Sequence, residues 1–114
     1  TREVVVVCGD GSFQMCMNEL GTMAQNKIDI KIIIMRNVRL GMVRELQYKN
    51  YGGRYSGVIL DDKAPDFTKI AEAYNIPSAV ASSNEEADKI AAEMLKHKGA
   101  FMLVCNVSPD TPSI

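Results

Sequence analysis

The sequence predicts an α/β fold, a mostly parallel sheet with helices on both faces in a Rossmann-like three-layer arrangement. Three observations predict it. Short apolar, β-branched runs stand at residues 4–8, 30–35 and 101–107, the composition of strands buried on both faces. Between them lie segments whose apolar residues recur at helical spacing. Strand, helix and strand follow one another within about thirty residues at the start, which is a βαβ unit with a right-handed crossover.

Each element can be justified in turn. Val4 to Cys8 is the first strand. Over residues 13–25 the period changes: Phe13, Met17, Leu20 and Ala24 share one helical face, with Cys16 and Met23 beside them. Ser12 is placed to cap that helix, and Asn26 or Lys27 ends it. Ile30 to Met35 makes the second strand. Leu40 to Tyr48 has helical character, and NYGGRYSG reads as a mobile loop. Pro65 then starts a helix with Asp66 in its first turn. Phe67, Ile70, Ala71 and Tyr74 lie on one face of it, and Asn75 and Pro77 stop it. Residues 78–81 are a short strand. Ser83-Asn84-Glu85-Glu86 fits a capping box. Ala87, Ile90, Ala91, Met94 and Leu95 give the following helix its apolar stripe. Gly99 closes that helix, and the last strand follows.

The bulk properties narrow the function. The 114 residues suit one domain with its own core. The net charge of −1 offers no basic surface for nucleic acid or an anionic membrane. No apolar run reaches the length of a membrane span. Arg2 and Glu3 precede only a strand-length run, so no signal peptide is expected. Cys8, Cys16 and Cys105 form no C-x-x-C pair and read as reduced, buried thiols of a cytoplasmic protein. The abrupt start and finish suggest a domain of something longer, or a small subunit with a partner. Most of the seven methionines fall on apolar faces and read as core.

The chemistry gathers at VVVVCGDGSFQ. Gly9-Asp10-Gly11-Ser12 follows the first strand, where α/β folds place their ligands. The glycines let backbone approach a ligand closely, and the N–H groups of Gly11, Ser12 and Phe13 favour an anion such as phosphate. Asp10 would repel that anion unless a divalent cation lies between them. Mg²⁺ takes carboxylate, amide and carbonyl oxygens together with phosphate oxygens. Asn37, at the end of the second strand, can add an amide oxygen, and the Arg39 carbonyl a third. The bland alternative is an Asp that only shapes a tight turn. A dinucleotide fingerprint is weaker, because G-D-G-S-F-Q lacks the third glycine of G-x-G-x-x-G. No P-loop and no G-x-S-x-G elbow is present.

GDGS followed at this distance by Asn resembles the thiamine diphosphate motif. GDGSFQMCMNELGTM, RNVRLGMVRELQ, NYGGRYS and APDFTKIAEAYNI together resemble the large, catalytic subunit of the acetolactate (acetohydroxyacid) synthase family along essentially the whole chain. The resemblance implies the C-terminal thiamine diphosphate-binding domain of that family, a fragment of a longer multi-domain enzyme. Carried over residue by residue, Asp10 and Asn37 are Mg²⁺ ligands through their side chains and Arg39 through its backbone oxygen. Gly9, Gly11 and Ser12 lie against the diphosphate. Leu40, Gly41 and Met42 begin the segment that covers thiazolium and pyrimidine.

The family condenses pyruvate with a second 2-ketoacid, with loss of carbon dioxide, in branched-chain amino-acid biosynthesis. The resemblance therefore implies pyrimidine-binding and FAD domains outside this chain, a regulatory small subunit and a homo-oligomer. FAD belongs to the full-length enzyme only. The activating glutamate lies on a domain absent here, so no catalytic residue is expected in this chain and the chain alone should not turn over. Residues 38–58 should be disordered without cofactor and partner domain.

Two positions depart from the family pattern. Arg36 stands where the first Asn of an Asn-Asn pair is usual. Leu46 stands where a channel-lining Trp is usual, which bears on the choice of second ketoacid. Two other readings remain at this point: a separate subunit of another thiamine diphosphate-dependent 2-ketoacid decarboxylase, or a non-catalytic assembly module. His97, between Lys96 and Lys98 at a helix end, reads as a dipole contact. Tyr48, Tyr51, Arg54 and Tyr55 are loop residues open to substrate or a partner domain.

Overall fold

Residues Ile30–Arg36 form the strand around which the rest is arranged, here called β2. A computed structural model describes residues 2–60 and 64–112. On one side β2 pairs in parallel with β1 (Val4–Gly9), and on the other with β4 (Phe101–Asn106). β3 (Ser78–Ala81) pairs in parallel with β4, giving the order β1-β2-β4-β3. The helices are α1 (Asp10–Cys16), α2 (Glu19–Asn26), α3 (Gly41–Tyr51), α4 (Phe67–Ala73) and α5 (Asn84–Lys96). The predicted parallel sheet with helices on both faces is what forms.

Strand alternation sorts the core into two layers. Ile32, Ile34, Met102 and Val104 face Phe13, Leu20 and Met23 of the first two helices and Phe67 and Ala71 of α4. Phe13 and Phe67 meet edge to face at 5.4 Å. On the opposite face Ala81 and Leu103 pack against Met94 of α5.

Several expectations change. The segment expected as one helix over 13–25 is two, because Leu20 and Gly21 donate to the carbonyls three residues back, at Met17 and Asn18. That tighter turn breaks the α-helical ladder. Ser12 does not cap α1: Asp10 is already helical, and Gly9 holds the extended capping position without a side-chain bond. The end at Lys27 is as expected, in a left-handed conformation with φ 52°. Asp66 is the cap of α4 rather than a first-turn residue, accepting from the Thr68 and Lys69 amides. Thr68 also donates its hydroxyl to Asp66, and these bonds hold the Asp66 carboxyl below its ordinary pKa. Glu86 donates its amide to the Ser83 hydroxyl, and its carboxylate reaches back to the Ser82 amide. The capping box therefore closes one residue earlier than its usual form.

Burial also differs from expectation. Val4 to Val7 are 41–63% exposed, so β1 is not buried on both faces. It is the outer strand: Cys8 packs against the core, while its four valines stay partly open. Leu95, Ala24, Met15 and Met35 face solvent, as does Cys16, while Cys8 and Cys105 are half-buried. Burial raises the thiol pKa of Cys8, with Cys16 adding to it, and burial alone raises that of Cys105. No helix among the described residues is long and apolar enough to cross a membrane.

The composition concealed one buried charge. Lys31 is fully buried inside the apolar run of β2. Its Nζ donates to Asp29 Oδ1 at 2.6 Å, the His97 carbonyl at 2.8 Å and the Gly99 carbonyl at 2.5 Å. Asp29 in turn accepts from the Gly99 amide, and these bonds lower its pKa. The ammonium thus ties the end of α5 to the start of β2. The His97 amide closes α5 on the Glu93 and Met94 carbonyls, and its ring packs on Phe101.

Candidate functional site

The first strand ends at Gly9 and the chain turns directly into α1, which buries Asp10 to 1% exposure. One carboxylate oxygen accepts from the Gly11 amide at 2.9 Å, the other from the Val38 amide at 2.8 Å. Asp10 therefore joins the start of α1 to the turn after β2. A carboxylate so held keeps lone pairs available on both oxygens.

The turn after β2 is shaped for that contact. Val38 sits at φ +52°, a left-handed conformation that costs a β-branched residue about 1–3 kcal/mol. The strain aims its N–H at Asp10. Asn37 Oδ1 accepts from the Arg39 amide at 3.1 Å, and the Arg39 guanidinium donates to the Val38 carbonyl. A second clip holds the turn from outside. Leu40 N–H donates to the Val58 carbonyl and Leu60 N–H to the Val38 carbonyl, each at 2.9 Å. Arg39 and Ile59 pair antiparallel, and Val58 is 1% exposed.

Residues 38–58, where disorder was expected, follow a defined path in the structure. α3 runs to Tyr51 and takes up the start of the expected loop, with Gly52 at φ +61° ending it. The Gln47 side chain accepts from the Ser56 amide and donates to its carbonyl, which closes the glycine loop. Arg44 lies over the Tyr55 ring at 5.0 Å and pairs with Asp110 at 3.1 Å. Arg54 donates to the Tyr51 carbonyl.

A cavity of about 380 Å³ opens where these segments meet. Gly9, Asp10, Gly11, Ser12, Asn37, Leu40, Gly41 and Met42 all line it, as does Arg39. All eight residues singled out for cofactor contact therefore come together, although two segments distant in sequence supply them. A Cβ on Gly11 would stand 2.5 Å from Leu40 Cδ2, so only glycine fits there without moving Leu40. The lining combines oxygen-bearing groups of Asp10, Asn37 and Arg39 with the apolar side chains of Met35, Leu40, Met42 and Val43. The oxygen set of one carboxylate, one amide and one carbonyl suits a hard divalent cation.

Leu46 does not line this cavity. It is 54% exposed on α3, in a stripe with Met42 and Val43 that no described residue covers. Arg36 also lies outside. Strand alternation sends Met35 and Asn37 to this cavity and Arg36 to the other face of β2, beside Asn106. Sequence reasoning missed Val38 and the Val58–Leu60 clip, because both act through backbone groups that carry no side-chain signature.

Known proteins resemble this chain in sequence and in fold. Residues 1–105 match the family described as "Thiamine pyrophosphate enzyme, C-terminal TPP binding domain". The acetolactate synthase large subunit of Porphyra purpurea is 42% identical over 105 residues, which are 92% of this chain and 18% of that protein. The acetolactate synthase isozyme 2 large subunit of Escherichia coli is 37% identical over 100 residues, 88% of this chain and 18% of that protein. The solved thiamine diphosphate-dependent 4-hydroxybenzoylformate decarboxylase of Rhodococcus jostii superposes with TM-score 0.87 and 25% identity, over 96% of this chain and 20% of that one. The chain spans about 18% of the length of the curated relatives it matches. It belongs to the thiamine pyrophosphate enzyme family, as its C-terminal cofactor-binding domain.

Proposed function

We propose that this chain is the diphosphate-binding part of an acetolactate synthase, holding thiamine diphosphate through Mg²⁺. The carrying observation is the buried Asp10, anchored between the Gly11 and Val38 amides and lining a cavity together with Asn37 and Arg39. Asp10 and Asn37 ligate the cation by side chain and Arg39 by its carbonyl. Gly9, Gly11 and Ser12 receive the diphosphate, whose charge the start of α1 and the cation both offset. Leu40, Gly41 and Met42 supply the surface against the cofactor's rings. Bound there, the cofactor supplies the carbanion chemistry of 2-ketoacid decarboxylation and condensation. The chain's own part is to bind, orient and shield.

The greater likeness to acetolactate synthases, at 42% against 25% identity for the decarboxylase, supports pyruvate and a second 2-ketoacid as substrates. On this reading the exposed stripe of Met42, Val43 and Leu46 meets another domain, and Leu46 borders the substrate channel. Pyrimidine-binding and FAD domains, a regulatory small subunit and a second copy of the enzyme complete the assembly, in the branched-chain amino-acid pathway of the cytoplasm.

Calorimetric titration of thiamine diphosphate tests the site. Heat is expected with Mg²⁺ present, and loss of that heat with EDTA and in Asp10→Ala. Equal binding with and without the metal, or an unaffected Asp10→Ala, refutes the arrangement.

A further inference from the structure

A second cavity, of about 280 Å³, opens between the start of α4 and the carboxyl ends of β2 and β4. It shares no lining residue with the Asp10 cavity. The Arg36 guanidinium lines it, turned there by strand alternation. That group has five donors, yet its hydrogen bond among the described residues is one to Asn106 Oδ1 at 3.4 Å. This is long for a charge-assisted bond, which usually closes to about 2.7–2.9 Å. Asn106 is held in turn by donating to the Ser82 hydroxyl at 3.0 Å. A cation with spare donors is thus positioned at the strand ends, where open α/β sheets bind ligands.

We propose that this cavity binds a small monocarboxylate with a short aliphatic chain. The planar carboxylate matches the guanidinium fork, with the Asn106 side chain beside it. Val80 and Val104 line the same cavity and give the aliphatic part apolar surface. Asp66 also lines it. Its Oδ1 is occupied by the Thr68 amide and hydroxyl and the Lys69 amide, and its charge remains. That charge disfavours a dianion such as phosphate and tolerates a single carboxylate. The proposal is independent of the cofactor reading, since neither cavity uses the other's residues.

The test is titration of sodium isobutyrate into the ¹⁵N-labelled chain, with ionic strength held constant by sodium chloride. Saturable shifts are expected at the Arg36 Nε–H and Asn106 side-chain amide signals, with a millimolar midpoint, and weaker binding of inorganic phosphate. Arg36→Gln and, separately, Asn106→Ala should abolish or weaken saturation while the remaining amide spectrum stays folded. Three results overturn the proposal: shifts that grow linearly without saturation, an unchanged midpoint in both variants, or saturable shifts confined to Gly11 and Ser12. Phosphate binding as tightly as isobutyrate would overturn the selectivity assigned to Asp66.

Discussion

Val38 carries an unusual share of the site for a residue whose side chain does nothing chemical there. Its left-handed backbone is held by the bond to Asp10 and by the Leu60 amide on its carbonyl. Glycine accepts that conformation freely. Val38→Gly should therefore keep the Asp10 contact and raise stability by about 1 kcal/mol, read by denaturant unfolding. Gly11→Ala makes the opposite test. Its new Cβ forces Leu40 aside, so cofactor affinity should fall while the melting temperature changes little. Lys31 is a purely structural case. Lys31→Ala removes three hydrogen bonds and leaves a cavity, and should cost about 2–5 kcal/mol, whereas Lys31→Met, which keeps the packing, should cost less.

Among the elements, β1 and β2 share a β-branched apolar run but differ in surroundings. Ile34 on β2 is fully buried, so Ile34→Ala should cost about 2–5 kcal/mol. Val7 on β1 is 63% exposed, and Val7→Thr should cost within about 0.5 kcal/mol in this chain. Equal losses in the two variants would show β1 to be covered. The cap of α4 predicts a pH dependence. Asp66 has its folded pKa lowered, so its contribution is fully present above the ordinary carboxylate value near 3.9. It disappears as pH falls through the lower folded value, because the unfolded chain takes up the proton more readily. Asp29 contributes in the same direction through Lys31 and Gly99. Acid unfolding curves of Asp66→Asn should accordingly be flatter below about pH 4 than those of the parent.

For the whole molecule, the cavity is made by two segments distant in sequence. The β1–α1 and β2–α3 turns meet because β1 lies beside β2 with their ends in register, Gly9 opposite Met35, and the 58–60 clip holds the second turn from outside. On the acetolactate synthase reading, the isolated 114-residue chain should bind cofactor but form no acetolactate from pyruvate. Measurable product from the purified chain would overturn that expectation. The strands, the parallel α/β class, the GDGS turn and its pairing with Asn37 were all readable from residue pattern, because apolar period and turn chemistry are local properties. The break between α1 and α2, the exposure of β1, the burial of Lys31 and the direction of Arg36 were not. Each depends on what lies across from the residue: a carbonyl three positions back, an uncovered sheet edge, a helix end that accepts an ammonium, or the face of a strand. Those neighbours come from distant sequence, and only packing brings them into contact.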